Sequence, residues 1–207
     1  MRRTDTQDLS LPTVLSLLGL LMLSACASGG PRPARVEIQE DGFTITEDVH
    51  VGFGVRSAFE EAVESLNQGE LGEGISLLEE ITKSSPELTA AHIDLGIAYR
   101  GTHDLEKAVA SLKRALELNP RHPVAYNELG IVYRKMGRFE EARESYEKAL
   151  AVHPDFHFAR RNLAILCDVY LRDLGCALEH YEIYTREVPG DEDAAMWIAD
   201  LRNRLKE

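Results

Sequence analysis

Three cysteines and seven histidines are the residues of this chain best suited to binding a metal, exchanging electrons or acting as nucleophiles. Cys167 and Cys176 stand nine residues apart, and His180 follows four residues after the second. That group is open to four readings: a metal site, a redox pair, a structural disulfide, or two buried small side chains. His153 and His157 are also four apart, but Pro154 between them breaks a helix, so they read as junction residues rather than a metal pair. The run "DEDA" at residues 191–194 suits a helix N-terminus, where the dipole favours carboxylates, better than acid–base machinery. No H-E-x-x-H, G-x-S-x-G, P-loop or dinucleotide glycine pattern occurs. The expectation is a chain that is not an enzyme and carries no cofactor, catalytic residue or metal. The reading of another class is a metal- or thiol-dependent enzyme using Cys167, Cys176 and His180.

Which chemistry the thiols do depends on compartment and fold. The chain has 207 residues and a formal net charge of −12. Such a charge opposes nucleic acid, whose phosphates need a basic surface. Arg2 and Arg3 precede an apolar run of ten, "VLSLLGLLML" at residues 14–23. A membrane span needs roughly 20 residues, so the run fits a signal-peptide core instead. "LSAC" follows at residues 23–26 and resembles the lipobox of bacterial lipoproteins. That resemblance implies a signal peptide over residues 1–25, palmitate-type acylation of Cys26, and a lipid-anchored mature chain. Ala27 in place of Asp resembles sorting to the outer membrane, facing the periplasm. The rival is a plain secretory signal cut after Ala25 or Ala27. Residues 26–35 are Gly/Pro-rich and read as a tether.

Residues 36–54 form a β-prone leader. Val36 and Ile38, then Phe43 and Ile45, alternate with polar residues, and Asp41-Gly42 between them is a hairpin signal. Val49 and Val51 suggest a third strand. From residue 55 the pattern becomes helical and repeats. "TAAHIDLGIAYRGTHDLEKAVASLKRALELNPRH" aligns without gaps on "PVAYNELGIVYRKMGRFEEARESYEKALAVHPDF", each of 34 residues. Leu95-Gly96 falls on Leu129-Gly130, Tyr99 on Tyr133, Ala108 on Ala142, and Pro120 on Pro154. This period and pattern resemble the tetratricopeptide repeat (TPR) family closely. The resemblance implies an all-α solenoid of four repeats over residues 55–88, 89–122, 123–156 and 157–190, each an A helix and a B helix. A capping helix over residues 191–207 would cover the last repeat. The last repeat fits only with one extra residue, placed in a longer loop around Leu171 to Gly175.

In TPR proteins certain helix-A positions commonly line a groove that takes a peptide or protein. Carried over, they give Phe59 and Val63; Ile93, Asp94, Ile97 and Arg100; Asn127, Glu128, Ile131 and Arg134; and Phe158, Arg161, Asn162 and Ile165. The Lys/Asn carboxylate clamp of chaperone-binding TPRs is absent, because position 5 holds Phe59, Ile93, Asn127 and Arg161. Arg161 with Asn127 remains a reduced version of it. The implied function is a membrane-anchored scaffold that recruits a protein partner. Its roles would resemble those of TPR lipoproteins that help assemble secretins, pili or transport systems, or of adaptors for cell-wall enzymes. In this frame Cys167 takes position 11 of a helix A and Cys176 a position near 19 on helix B. In an oxidising compartment that arrangement makes them a disulfide candidate, contributing about 2–3 kcal/mol. Free buried thiols are the alternative if the Cα atoms lie beyond about 7 Å.

Overall fold

The computed structural model describes residues 35–39, 42–46 and 51–206. The expected signal peptide, Cys26 and the expected tether before residue 35 lie outside the described residues, as do residues 47–50, part of the segment expected to hold a third strand. β1 (Arg35–Gln39) and β2 (Gly42–Thr46) pair antiparallel, with Val36 opposite Ile45 and Ile38 opposite Phe43. Gly42 belongs to β2, opposite Gln39.

The remainder of the described residues is helical, the all-α class expected from the sequence. The chain divides into two compact units, the first ending at His122 and the second starting at Pro123. The first holds α1 (Phe53–Asn67), α2 (Leu71–Ser84), α3 (Thr89–Gly101) and α4 (Leu105–Leu118). The second holds α5 (Pro123–Lys135), α6 (Phe139–Val152), α7 (His157–Ile165), a π turn (Leu166–Leu171), α8 (Leu174–Glu187) and α9 (Glu192–Arg204). Consecutive helices pair as α1/α2, α3/α4, α5/α6 and α7/α8, and α9 packs on α8. No helix among the described residues is long and apolar enough to cross a membrane.

The small residues explain how the pairs close. A Cβ on Gly96 would sit 2.6 Å from Leu112 Cγ, and one on Gly130 would sit 2.5 Å from Tyr146 Cε1. Ala108, Ala142 and Ala177, at the matching places on the B helices, are fully buried. Each B helix ends two residues before a proline (Pro86, Pro120, Pro154 and Pro189), which cannot continue it. Between A and B the chain turns through one left-handed residue: Gly69, His103, Gly137 and Arg172.

Those four residues are 34, 34 and 35 apart, which locates the inserted residue before Arg172. In the first three repeats the turn closes by Glu70 N–H donating to Ser65 O, Asp104 N–H to Tyr99 O, and Arg138 N–H to Tyr133 O. In the last, Asp173 N–H donates to Cys167 O at 2.9 Å, one residue further back. The extra residue is therefore housed inside the helix, as the π turn, and not in the loop around Leu171 to Gly175. A helix absorbs one residue by switching locally to i→i+5 bonds, leaving the turn that follows unchanged.

Candidate functional site

The A helices supply the residues expected to meet a partner, and the structure divides them by burial. In the first unit Phe59, Val63, Ile97 and Arg100 are half-buried, whereas Ile93 and Asp94 are fully buried. In the second, Ile131, Arg134, Phe158, Arg161, Asn162 and Ile165 are half-buried, whereas Asn127 and Glu128 are buried. Of the expected groove residues, Ile93, Asp94, Asn127 and Glu128 are thus the ones with little exposed surface. On α3 and α5 these places are packed inside, and in the second unit their polar atoms turn to each other. Asn162 Nδ2 donates to Asn127 Oδ1 at 2.9 Å, and Asn127 Nδ2 donates to Glu128 Oε1 at 3.3 Å.

Arg161 is also committed. Its Nε lies 3.6 Å from Asp191 Oδ2, its side chain is 17% exposed, and its guanidinium faces the rings of Trp197 at 5.3 Å and Tyr184 at 6.0 Å. Asp191 accepts from Tyr184 Oη at 2.8 Å and from Ala194 N–H at 3.0 Å, so one carboxylate caps α9 and joins it to α7 and α8. Burial, and then this hydrogen bond, raise the Tyr184 phenol above its ordinary range. Arg161 and Asn127 therefore do not form a vacant carboxylate clamp. In the first unit, burial and the Glu79 carboxylate that accepts from its hydroxyl push Tyr99 up to about 12.

The surface left to a partner is the middle and end of each helix A. Ile97 and Arg100 present it in the first unit. Ile131, Arg134, Phe158, Ile165 and the 38%-exposed Val169 present it in the second. Arg134 Nη1 donates to Tyr170 Oη at 3.4 Å with its guanidinium 5.7 Å from that ring, and Tyr170 in turn packs on Phe139 at 4.8 Å. This mixture of branched apolar groups and oriented arginines suits a peptide with alternating apolar and polar residues. The B helices show a different surface, with exposed pairs such as Arg143–Glu147 and Lys148–Glu144. Exposed pairs of this kind add little and leave that face solvated.

Cys167 and Cys176 are joined by a disulfide, with Cα atoms 5.9 Å apart, inside the bridgeable range. Cys167 is fully buried and Cys176 half-buried. His180 is half-buried, and burial lowers its pKa from the ordinary value. Among the described residues no three His, Cys, Asp or Glu side chains gather closely enough to hold a metal. Sequence reasoning missed two features: Asp168, buried with its carboxylate 2.8 Å from Arg204 Nη1 of α9, and the Tyr170 cluster. Only the one-residue insertion signalled them.

The repeat geometry has a family. The tetratricopeptide repeat family model matches residues 87–155, which covers α3 to α6. No curated protein sequence matches the chain significantly. Several solved structures share its fold. MamA from Desulfovibrio magneticus superposes with a TM-score of 0.67 at 20% identity, covering 76% of this chain and 88% of that one. PilF of Pseudomonas aeruginosa gives 0.67 at 19% identity, covering 73% and 69%. A thermophilic TPR protein of Thermus thermophilus gives 0.61 at 25% identity, covering 71% and 80%. At these identities the likeness establishes the fold.

Proposed function

We propose that this chain is an outer-membrane lipoprotein, anchored through acylated Cys26 and facing the periplasm, whose helix-A faces recruit a protein or peptide partner to the membrane. The observation that carries this reading is the joining of two features in one chain: a lipobox-like "LSAC" after an apolar run, and TPR helix pairs whose A helices keep Ile97, Ile131 and Ile165 half-exposed. An anchor and a binding face together concentrate a partner at the membrane without any chemistry by the scaffold itself. The partner is a component of an envelope machine under assembly, such as a secretin, pilus or transport system. A second reading, an adaptor for peptidoglycan enzymes, uses the same anchor and face. The disulfide supports an oxidising compartment, because such bonds persist there and not in the cytosol.

Two measurements test this. Fractionation of cells should find the wild-type chain with membranes and the Cys26→Ser variant released; equal partition of both sinks the anchor. Co-purification from detergent-solubilised membranes then separates the roles. Recovery of a secretin or pilus component supports assembly, murein hydrolases support the adaptor, and a bare chain opposes both.

A further inference from the structure

The inserted residue, the disulfide and two long contacts meet in one place in the last repeat. In the second repeat the residues at positions 11 and 19 face each other across the helix pair: Lys107 Nζ lies 5.0 Å from the centre of the Tyr99 ring. In the last repeat the same two places hold Cys167 and Cys176, covalently joined and nine residues apart. The bonded loop thus encloses the π turn and its extra residue. From inside that loop Asp168 reaches Arg204 of α9 at 2.8 Å, and Tyr170 reaches Phe139 of α6 at 4.8 Å. A π turn is a poorer helix than the α form, and one extra residue fits equally well in the following loop. Moving it there would turn residues 168–171 about the helix axis and draw Asp168 and Tyr170 off these partners.

We infer that the Cys167–Cys176 bond is a redox-operated latch: oxidised, it holds the π turn and with it the contact of Asp168 to Arg204 near the end of α9; reduced, it lets the extra residue move into the following loop, withdraws that contact and loosens the C-terminal part of α9. The reductant is a dithiol. One of its thiolates attacks the sulfur of half-buried Cys176, the S–S bond breaks, and the Cys167 thiolate leaves and takes up a proton. The second thiol of the reagent then resolves the mixed disulfide. Two protein thiols and one reagent disulfide result. Fully buried Cys167 is the protected leaving group.

Hydrogen exchange on the full detergent-solubilised chain, with thiols counted before and after a dithiol, tests the latch. The expected result is two new thiols under native conditions, with exchange in residues 166–171 and the C-terminal part of α9 faster by about tenfold or more and α1 to α4 unchanged. The C167A/C176A double variant should exchange fast from the start and ignore the dithiol. Two outcomes overturn the inference: thiols that appear while exchange in that part of α9 stays constant, which makes the bond a passive staple, or thiols that appear only on unfolding.

Discussion

Replacing Gly130 by Ala inserts a methyl group where α5 and α6 touch. The added Cβ would stand 2.5, 2.7 and 2.9 Å from three atoms of the Tyr146 ring, and that ring is fully buried. Carbon atoms prefer about 3.5–4.0 Å, so the ring must retreat by about 1 Å in a packed interior. Overpacking of this kind costs about 1–3 kcal/mol. The same substitution gains about 1 kcal/mol because Ala favours a helix interior over Gly. A rigid, enclosed ring puts the first term near its upper end, so the net loss should be about 1–2 kcal/mol. Gly72→Ala in α2 is the control: nothing lies within 4 Å of the new methyl group, so only the favourable term remains. Urea unfolding followed by helicity reads both units, and fluorescence of Trp197, the single tryptophan, reports on the second unit. The Gly130→Ala midpoint should fall with an unchanged slope. Adding Tyr146→Leu should recover more than about 1 kcal/mol relative to the sum of the two single changes. A Gly130→Ala chain as stable as the wild type would refute the close-contact argument.

Two further changes probe the polar interior. Asp191→Ala removes the cap of α9 together with the acceptor for Tyr184 and the partner of Arg161; the loss should be about 2–3 kcal/mol by thermal or urea unfolding, and a loss no larger than that of Asp104→Ala, which removes a cap and an exposed ion pair with Lys107, would contradict the junction role. Burial holds His122 neutral down to about 4, while the unfolded chain takes up the proton near 6.5, so unfolding binds a proton between these values. Stability should fall by about 3 kcal/mol as pH drops through that window, with the same direction expected from burial of His92, His157 and His180. Helicity-monitored urea titrations at pH 7 and pH 4.5 check it, and a His122→Gln chain with the same pH slope would count against the assignment.

The helix pairs were legible because their determinants are local and repeated. Gly96 and Gly130 mark the contact, Tyr99 and Tyr133 fill the pair, and Pro120 and Pro154 end it, all at a fixed period. The π turn was not, because an insertion shows in an alignment only as a shift between Cys167 and Ala177, and a helix or a loop absorbs it equally well. The groove was half legible. Asp94 and Glu128 look like solvent-facing residues by type, yet helix A turns them inward, a tertiary fact that hydrophobic periodicity cannot carry. Arg161 was assigned by position alone, and its true partner, Asp191, lies thirty residues on, beyond the reach of local patterning.

The central claim is that helix-A faces receive a protein partner at the membrane. Photo-cross-linking in intact cells tests it most directly, with the reactive residue placed singly at Ile97, Ile131 or Ile165, or at Lys113 or Glu144 on the exposed B-helix side. The account predicts that the three helix-A positions capture the same envelope protein and that the two B-helix positions do not. Adducts arising only from Lys113 or Glu144, or none from any helix-A position, would contradict it.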